Sequence, residues 1–375
     1  MTPRERLLAT LRREPVDRIP TAVICIENLP EIAAYLRIPE DAVMARLGID
    51  SREVYATYAG EKRPEVLQGL YTEWGTPNTG DYGTARFNPL ADVTSLAAIE
   101  RYPWPDPALY DYAAAAANAR RLRDYACRGP YWQPVFCRAC DLFGMETALM
   151  HMLDDAALFE AVLERAARFT YDYCVRLLDA CGDDLPILCL ADDFATQRGL
   201  MVSPALWRRF LKPHLARLFA LGKSRGKYVW FHSCGDITAV LPYLIDMGMD
   251  VWETVQLHTL PIDARTLKRE YGRHLTFFGG INTQRLPFAT PEQVRAEVNR
   301  CIETLGEGGG YICGPDHHIK PDVPPANTVA LFDAATSYRA GRNPPPVGRH
   351  LGDAKARPRS RPTSGTRHPT PSPNT

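Results

Sequence analysis

His232 and Cys234 stand two residues apart where an apolar run ends in a glycine turn, Phe231-His232-Ser233-Cys234-Gly235. The run before them, Lys227 to Phe231, is β-branched and aromatic and predicts a β-strand. Side chains two apart on a strand leave on one face. An imidazole and a thiol on one face form half of a zinc site, because zinc takes imidazole nitrogen and thiolate sulfur in tetrahedral array. The missing donors can come from a second strand-like run, Gly309 to Ile312, which leads into Cys313-Gly314-Pro315-Asp316-His317-His318. Cys313 and His317 are both candidates for the third ligand.

Other polar residues with chemistry to offer fall at similar places. Asp192 and Asp193 follow the strand-like run Pro186 to Ala191. Glu253 and Gln256 lie at the end of another, Asp250 to Gln256, and Gly279-Gly280-Ile281-Asn282 end a fourth, Leu275 to Gly280. Each carries an ordinary structural reading beside the functional one. Aspartates cap turns, a half-buried glutamate or glutamine satisfies strand-end hydrogen bonds, and paired glycines clear space for a close backbone. Five consecutive strand ends bearing metal-type or acid–base side chains exceed what packing alone requires.

The elements that must hold these residues alternate. Helices are expected from Ser203-Pro204 to Gly222, Ile237 to Met247, Ile262 to Tyr271, Thr290-Pro291 to Leu305 and Pro324-Pro325 to Arg339, one after each strand-like run. Ser203 and Thr290 are good N-caps followed by proline. Strand–helix repetition with short connections implies a parallel sheet covered by helices. Without a dinucleotide glycine fingerprint it favours an α/β fold of the (β/α)8 TIM barrel type, with the polar strand ends on its C-terminal mouth. Thr21 to Ile26 and Pro134 to Phe136 read as further strands. The Pro-, Gly- and aromatic-rich stretch from Tyr55 to Pro107 reads as N-terminal insertions over the barrel mouth. Residues 1–340 form the expected barrel, and the Pro/Arg/Ser-rich tail 341–375 is expected to be disordered, since it has too little apolar surface to bury.

The bulk numbers narrow the class. The chain has 375 residues, 45% of them hydrophobic, and a formal net charge of zero, so nothing points to nucleic acid or an anionic membrane surface. No apolar run has the length of a bilayer span. Met1 to Arg6 opens a capped, charged helix rather than a secretory leader. Ten cysteines without paired spacing read as reduced thiols of a cytoplasmic protein. The lone Cys137-x-x-Cys140 reads as two semi-buried thiols. His214 reads as a surface or helix-end residue of a basic amphipathic helix, and His151, His258 and His274 show no partner pattern.

Four segments together resemble the uroporphyrinogen decarboxylase superfamily: Asp192 to Leu200, the His232-Ser-Cys-Gly235 turn, Phe277 to Gln284, and Gly314 to Asn327. The resemblance runs from about Asp184 to Arg339. It implies a single TIM barrel with its site at the C-terminal mouth, and dimerisation follows from it by analogy. Two branches of the superfamily are relevant: the cofactor-independent decarboxylase of haem biosynthesis, and zinc-dependent methyltransferases that act with methyl-corrinoid proteins. The haem enzymes carry an arginine-containing stretch near the N-terminus that grips substrate carboxylates; here Thr21 to Glu27 has no arginine. The methyltransferases carry a His-x-Cys pair, matched by His232 and Cys234, and a later cysteine whose place falls at His317. The decarboxylases carry a substrate-contacting histidine there.

The resulting expectation is a zinc-dependent methyltransferase or demethylase with a corrinoid protein partner and a small-molecule substrate. The metal ligands are His232, Cys234 and His317, with Cys313 as the alternative third. Asp193, Glu253 and His317 are the candidate catalytic groups, and Asp192, Gln256, Asn282 and His318 the candidate substrate-binding ones. No Asp-x-His-x-x-Gly cobalamin motif occurs, so the corrinoid belongs on a separate protein. The rival expectation is a metal-independent decarboxylase of uroporphyrinogen or another polycarboxylate, which needs no cofactor.

Overall fold

The inner strands obey the two-residue period that their sequences show. In Tyr228–His232, Val229 and Phe231 join the large core under the helices, while Trp230 joins a second cluster with Ile187, Cys189, Val251, Phe278 and Ile312. A computed structural model describes residues 1–61, 69, 71–77 and 87–338. Its strands are β1 (Ser51–Glu53), β2 (Ala126–Tyr131), β3 (Ile187–Ala191), the short hairpin β4 (Ala195–Thr196) and β5 (Gly199–Leu200), β6 (Tyr228–His232), β7 (Val251–Val255), β8 (Thr276–Ile281) and β9 (Tyr311–Pro315).

Seven of them form one parallel sheet in the order β1-β2-β3-β6-β7-β8-β9. The order is sequential because a helix follows each strand and returns the chain to the next position. The sheet is curled, with the second cluster on its inner side. Helix Pro3–Leu11 packs Leu7 and Leu11 against that cluster. It opens on a capping box between Thr2 and Glu5, as its sequence implies. Residues Pro20–Ala22 lie beside both ends of the sheet. Cys313 of β9 donates to the Pro20 carbonyl at 2.9 Å and accepts from Ala22 at 3.1 Å, while Asp50, next to β1, donates to the Thr21 carbonyl at 2.9 Å.

Four expectations are corrected. The Thr21 to Ile26 run is not a strand; only Thr21 and Ile26 form isolated bridges, to Cys313 and Ile319. Pro134 to Phe136 is not one either, because Phe136 opens helix Phe136–Phe143. The strand lies earlier, at β2, where Gly129 and Pro130 hide the pattern by interrupting its side-chain alternation. The helix expected from Ser203 is two helices, Pro204–Phe210 and Lys212–Ser224, since Pro213 has no N–H to continue the ladder. The helix expected from Ile237 starts at Leu241.

Of the expected insertion, Trp74 lies edge-on to Phe169 of helix Ala156–Cys181. Residues 62–68, 70 and 78–86 of that insertion, and the tail 341–375, lie outside the described residues. Among the described residues no helix is long and apolar enough to cross a membrane.

Candidate metal centre

The phase of β6 that buries Trp230 on the inner side sends His232 there too, at the C-terminal end of the strand. Cys234 follows in the turn, held by two contacts. Its N–H donates to Asp193 Oδ1 at 2.6 Å, and the next N–H, of Gly235, donates to Gln256 Oε1 at 2.9 Å. Gly235 has φ +80°, and a Cβ there would sit 2.3 Å from the Thr196 carbonyl oxygen, so the tight turn excludes any side chain at this position. The Cys234 sulfur thereby comes to 3.5 Å from Nε2 of His232.

His317, two residues past β9, completes the group. Donor atoms of His232, Cys234 and His317 all lie within 4.8 Å of one another. A tetrahedral ion of zinc's size sets neighbouring nitrogen and sulfur donors roughly 3.3–3.6 Å apart. The 3.5 Å sulfur–nitrogen separation already has that value, and the remaining donors need small side-chain shifts to reach it. Two imidazoles and one thiol are a coherent zinc-type donor set, so the residues present fit such an ion.

Cys313 is not part of this group. Along β9 its neighbour Ile312 faces the inner cluster, so Cys313 faces the helix layer, where it is fully buried beside Cys301 and its thiol is pushed up to about 12 by burial. Strand alternation therefore removes it as the alternative third ligand.

Behind His232 stands a carboxylate. Glu253 Oε1 lies 2.9 Å from His232 Nδ1. Its Oε2 accepts from Arg128 Nη1 and from the Trp230 indole N–H. Arg128 in turn gives Nη2 to Glu53 Oε1 at 2.9 Å and to the Val23 carbonyl at 3.0 Å. Both Arg128 and Glu253 side chains are 0% exposed. Burial alone would raise the Glu253 carboxyl, but Arg128, then His232 and Trp230, outweigh it and hold it at about 2. Burial likewise disfavours charge on His232, yet Cys234, Glu253 and Asp193 together hold that imidazole well above its ordinary value. Burial and the neighbouring His232 push His317 down to about 4, which leaves its lone pair free near neutral pH.

β7 is irregular where it delivers Glu253. Its register against β8 shifts between Glu253 and Val255, and Thr254 has φ +65°, strained for a β-branched residue. Thr254 Oγ1 donates to the Ser233 carbonyl at 2.8 Å, tying this bulge to the turn that carries Cys234.

The remaining candidates are placed as follows. Asp192 is buried beneath helix Phe136–Phe143, and its two oxygens accept the N–H groups of Val135, Phe136 and Cys137 at 3.2, 2.8 and 2.9 Å. Burial, partly opposed by these donors, pushes its carboxyl up to about 6. Asp193 Oδ1 lies 3.6 Å from His232 Nε2. Asn282 Oδ1 accepts from the Gln284 N–H at 2.9 Å in the turn after β8. His318 leans on His317, ring centroids 4.6 Å apart, and its Nδ1 lies 3.1 Å from Glu27 Oε1. The sequence reading did not single out Arg128, Tyr131 or Trp132. Tyr131 and Trp132 set their rings edge-on to His232 at 5.6 and 6.4 Å, and the Tyr131 hydroxyl lies 3.3 Å from Nδ1. A lone arginine in an otherwise small and apolar six-residue run was the available signal for Arg128.

Residues 134–338 match the uroporphyrinogen decarboxylase (URO-D) family. The chain belongs to that family. Its relatives divide between two activities. It is 25% identical over 355 residues to a methylcobamide:CoM methyltransferase (MtaA) of Methanosarcina barkeri, covering 90% of this chain and 99% of that protein. It is 25% identical to a methylated-thiol–coenzyme M methyltransferase of Methanosarcina mazei, covering 84% of each. It is also 23% identical over 364 residues to a uroporphyrinogen decarboxylase of Chloroflexus aurantiacus, covering 89% of this chain and 96% of that protein. Among solved structures, a methyltransferase from Methanosarcina mazei superposes with a TM-score of 0.64 at 20% identity, over 89% of this chain and 98% of that one. These named relatives are enzymes of two kinds, methyltransferases and decarboxylases.

Proposed function

We propose that the protein is a zinc-dependent methyltransferase or demethylase of the URO-D family that works with a corrinoid protein. The observation that carries this reading is the convergence of His232, Cys234 and His317, with Glu253 behind His232. It is coupled to the proposal that the curled sheet is a (β/α)8 barrel whose eighth stave is the short Pro20–Ala22 segment, which hydrogen-bonds to both sheet edges.

Zinc held by these residues would supply a positive charge that favours the thiolate form of a substrate thiol. The chain's residues do the rest. Cys234 and the two imidazoles hold the ion, His317 in its neutral form. Glu253 fixes the Nδ1 side of His232, so the expectation of an acid–base role for it gives way to one of orientation: both its oxygens are engaged with protein partners. Asp193, beside the donor atoms, is the carboxylate we assign to take up the thiol proton. Asp192 and Gln256 are assigned to holding a helix start and the Cys234 turn. Small polar substrate parts are left to His318 and Asn282 at the rim. The methyl-corrinoid would be presented by the partner protein.

The decarboxylase reading has weaker support from the site. A polycarboxylate substrate needs cations with free donors, and Arg128 is occupied by Glu253, Glu53 and Val23. The test is direct. Protein purified without added metal should contain about one zinc per chain, and a His232→Ala, Cys234→Ser double variant should not. With a methyl-corrinoid the parent should methylate a small thiol. Turnover of uroporphyrinogen by metal-free protein would reverse the assignment.

A further inference from the structure

We propose that Arg128 is a positioning residue for His232: its fork, anchored on Val23 and Glu53, holds Glu253 so that Oε1 takes the Nδ1 proton of His232 and Nε2 is turned on the Cys234 sulfur. The geometry is a continuous line of directed contacts across the inside of the sheet. It begins at the Val23 carbonyl, 3.0 Å, and Glu53 Oε1, 2.9 Å, both on Nη2 of Arg128. It passes through Nη1 to Glu253 Oε2, and from Oε1 to His232 Nδ1 at 2.9 Å. It ends at Nε2, 3.5 Å from the Cys234 sulfur. The indole N–H of Trp230 also donates to Oε2, and its ring lies under the guanidinium, 4.9 Å from centroid to Cζ. Oε2 is thus held by two donors, and Glu253 cannot rotate about its terminal torsion without losing both.

A planar fork with two separately anchored nitrogens can do this, whereas an ammonium is a point charge without fixed direction. An imidazole whose Nδ1–H is given to a carboxylate presents its other nitrogen as the metal donor, and loss of such an outer partner typically weakens metal binding by about 10–100-fold. The alternation of β2 puts Arg128 on the inner face, and that of β7 puts Glu253 opposite it, although 125 residues separate them in the chain.

The experiment compares the parent with Arg128→Lys and Arg128→Met. Two readouts are taken on each: the zinc dissociation constant by chelator competition, and the hydrogen-bonded Nδ1 proton of His232 in the proton NMR spectrum of the metal-free protein. Circular dichroism and melting check that each variant is folded. The expected result is a downfield, slowly exchanging His232 proton in the parent that weakens or vanishes in the variants. Zinc should bind about tenfold more weakly to the lysine variant and up to about a hundredfold more weakly to the methionine variant. Should the methionine variant fail to fold, the charge-retaining lysine variant decides alone. Parent-like zinc binding within about twofold, with the proton retained, overturns the proposal. Only the zinc readout rests on the metal reading above. A parent that binds no zinc yet loses the proton on substitution would sink that reading and leave the positioning role standing.

Discussion

Cys234 and Cys313 carry the same thiol in opposite situations. One is partly exposed against an imidazole, and the other is sealed under the helices. Cys234→Ser should therefore abolish zinc retention, while Cys313→Ala should leave it unchanged and cost only about 1 kcal/mol of stability for a small cavity. Metal analysis of both purified variants, with urea melts, checks this. Two buried carboxyls should shape the acid response of the metal-free protein in opposite directions. Asp192 sits at about 6 when folded, above its unfolded value of about 3.9. Folding favours its protonated form, so stability should rise as pH falls from 7 toward 5. Glu253 sits at about 2, below its unfolded value of about 4.3. Its contribution, roughly 3 kcal/mol, is present above pH ~4 and lost as pH falls through the folded value. Denaturant melts at pH 7, 5 and 3 should therefore pass through a maximum. Asp192→Asn should flatten the upper limb and leave the lower one.

At the scale of elements, the site depends on two local departures from regular structure, both beside His232. One is the Gly235 turn and the other the β7 bulge at Thr254. Gly235→Ala combines a left-handed φ with a Cβ 2.3 Å from the Thr196 carbonyl oxygen. It should destabilise the protein by about 1–3 kcal/mol and displace the Cys234 sulfur. A melt and a zinc titration measure the two effects, and a variant with parent stability and parent affinity would show the turn to be tolerant. β6, β7, β8 and β9 were legible because each is a short apolar run ending in polar residues, with a helix signal after it. β2 was not, because Gly129 and Pro130 break the pattern. Its loss from the sequence reading concealed Arg128 as well. Ser51–Glu53 is too short to announce itself.

The whole molecule is clasped where the N-terminal segment meets the sheet. Asp50 is fully buried and accepts from Arg6 Nη1 at 2.7 Å, from Arg18 Nη1 at 2.9 Å, and from the Thr21 N–H at 2.9 Å. One carboxylate thus ties helix Pro3–Leu11, the Pro20–Ala22 segment and the start of β1. Asp50→Ala removes the carboxylate partner of Arg18 and one of the two of Arg6, which keeps Asp17 at 2.6 Å, and should cost about 3 kcal/mol, read as a lowered melting temperature. By contrast, removal of residues 341–375, whose composition offers no core, should leave both the melting temperature and zinc retention unchanged. A fall in either would show that the tail packs on the rest of the chain.

Local pattern alone determined that strands and helices alternate and that reactive side chains cluster at strand ends. Those properties depend on residues a few positions apart, whose geometry the backbone period sets. The choice of His317 over Cys313, the engagement of Asp192 by a helix start, and the Arg128–Glu253–His232 line were decided by tertiary structure. Each depends on which strand pairs with which and in what phase. A single-residue slip would turn every side chain of a strand to the other face, and no short stretch of sequence carries that register.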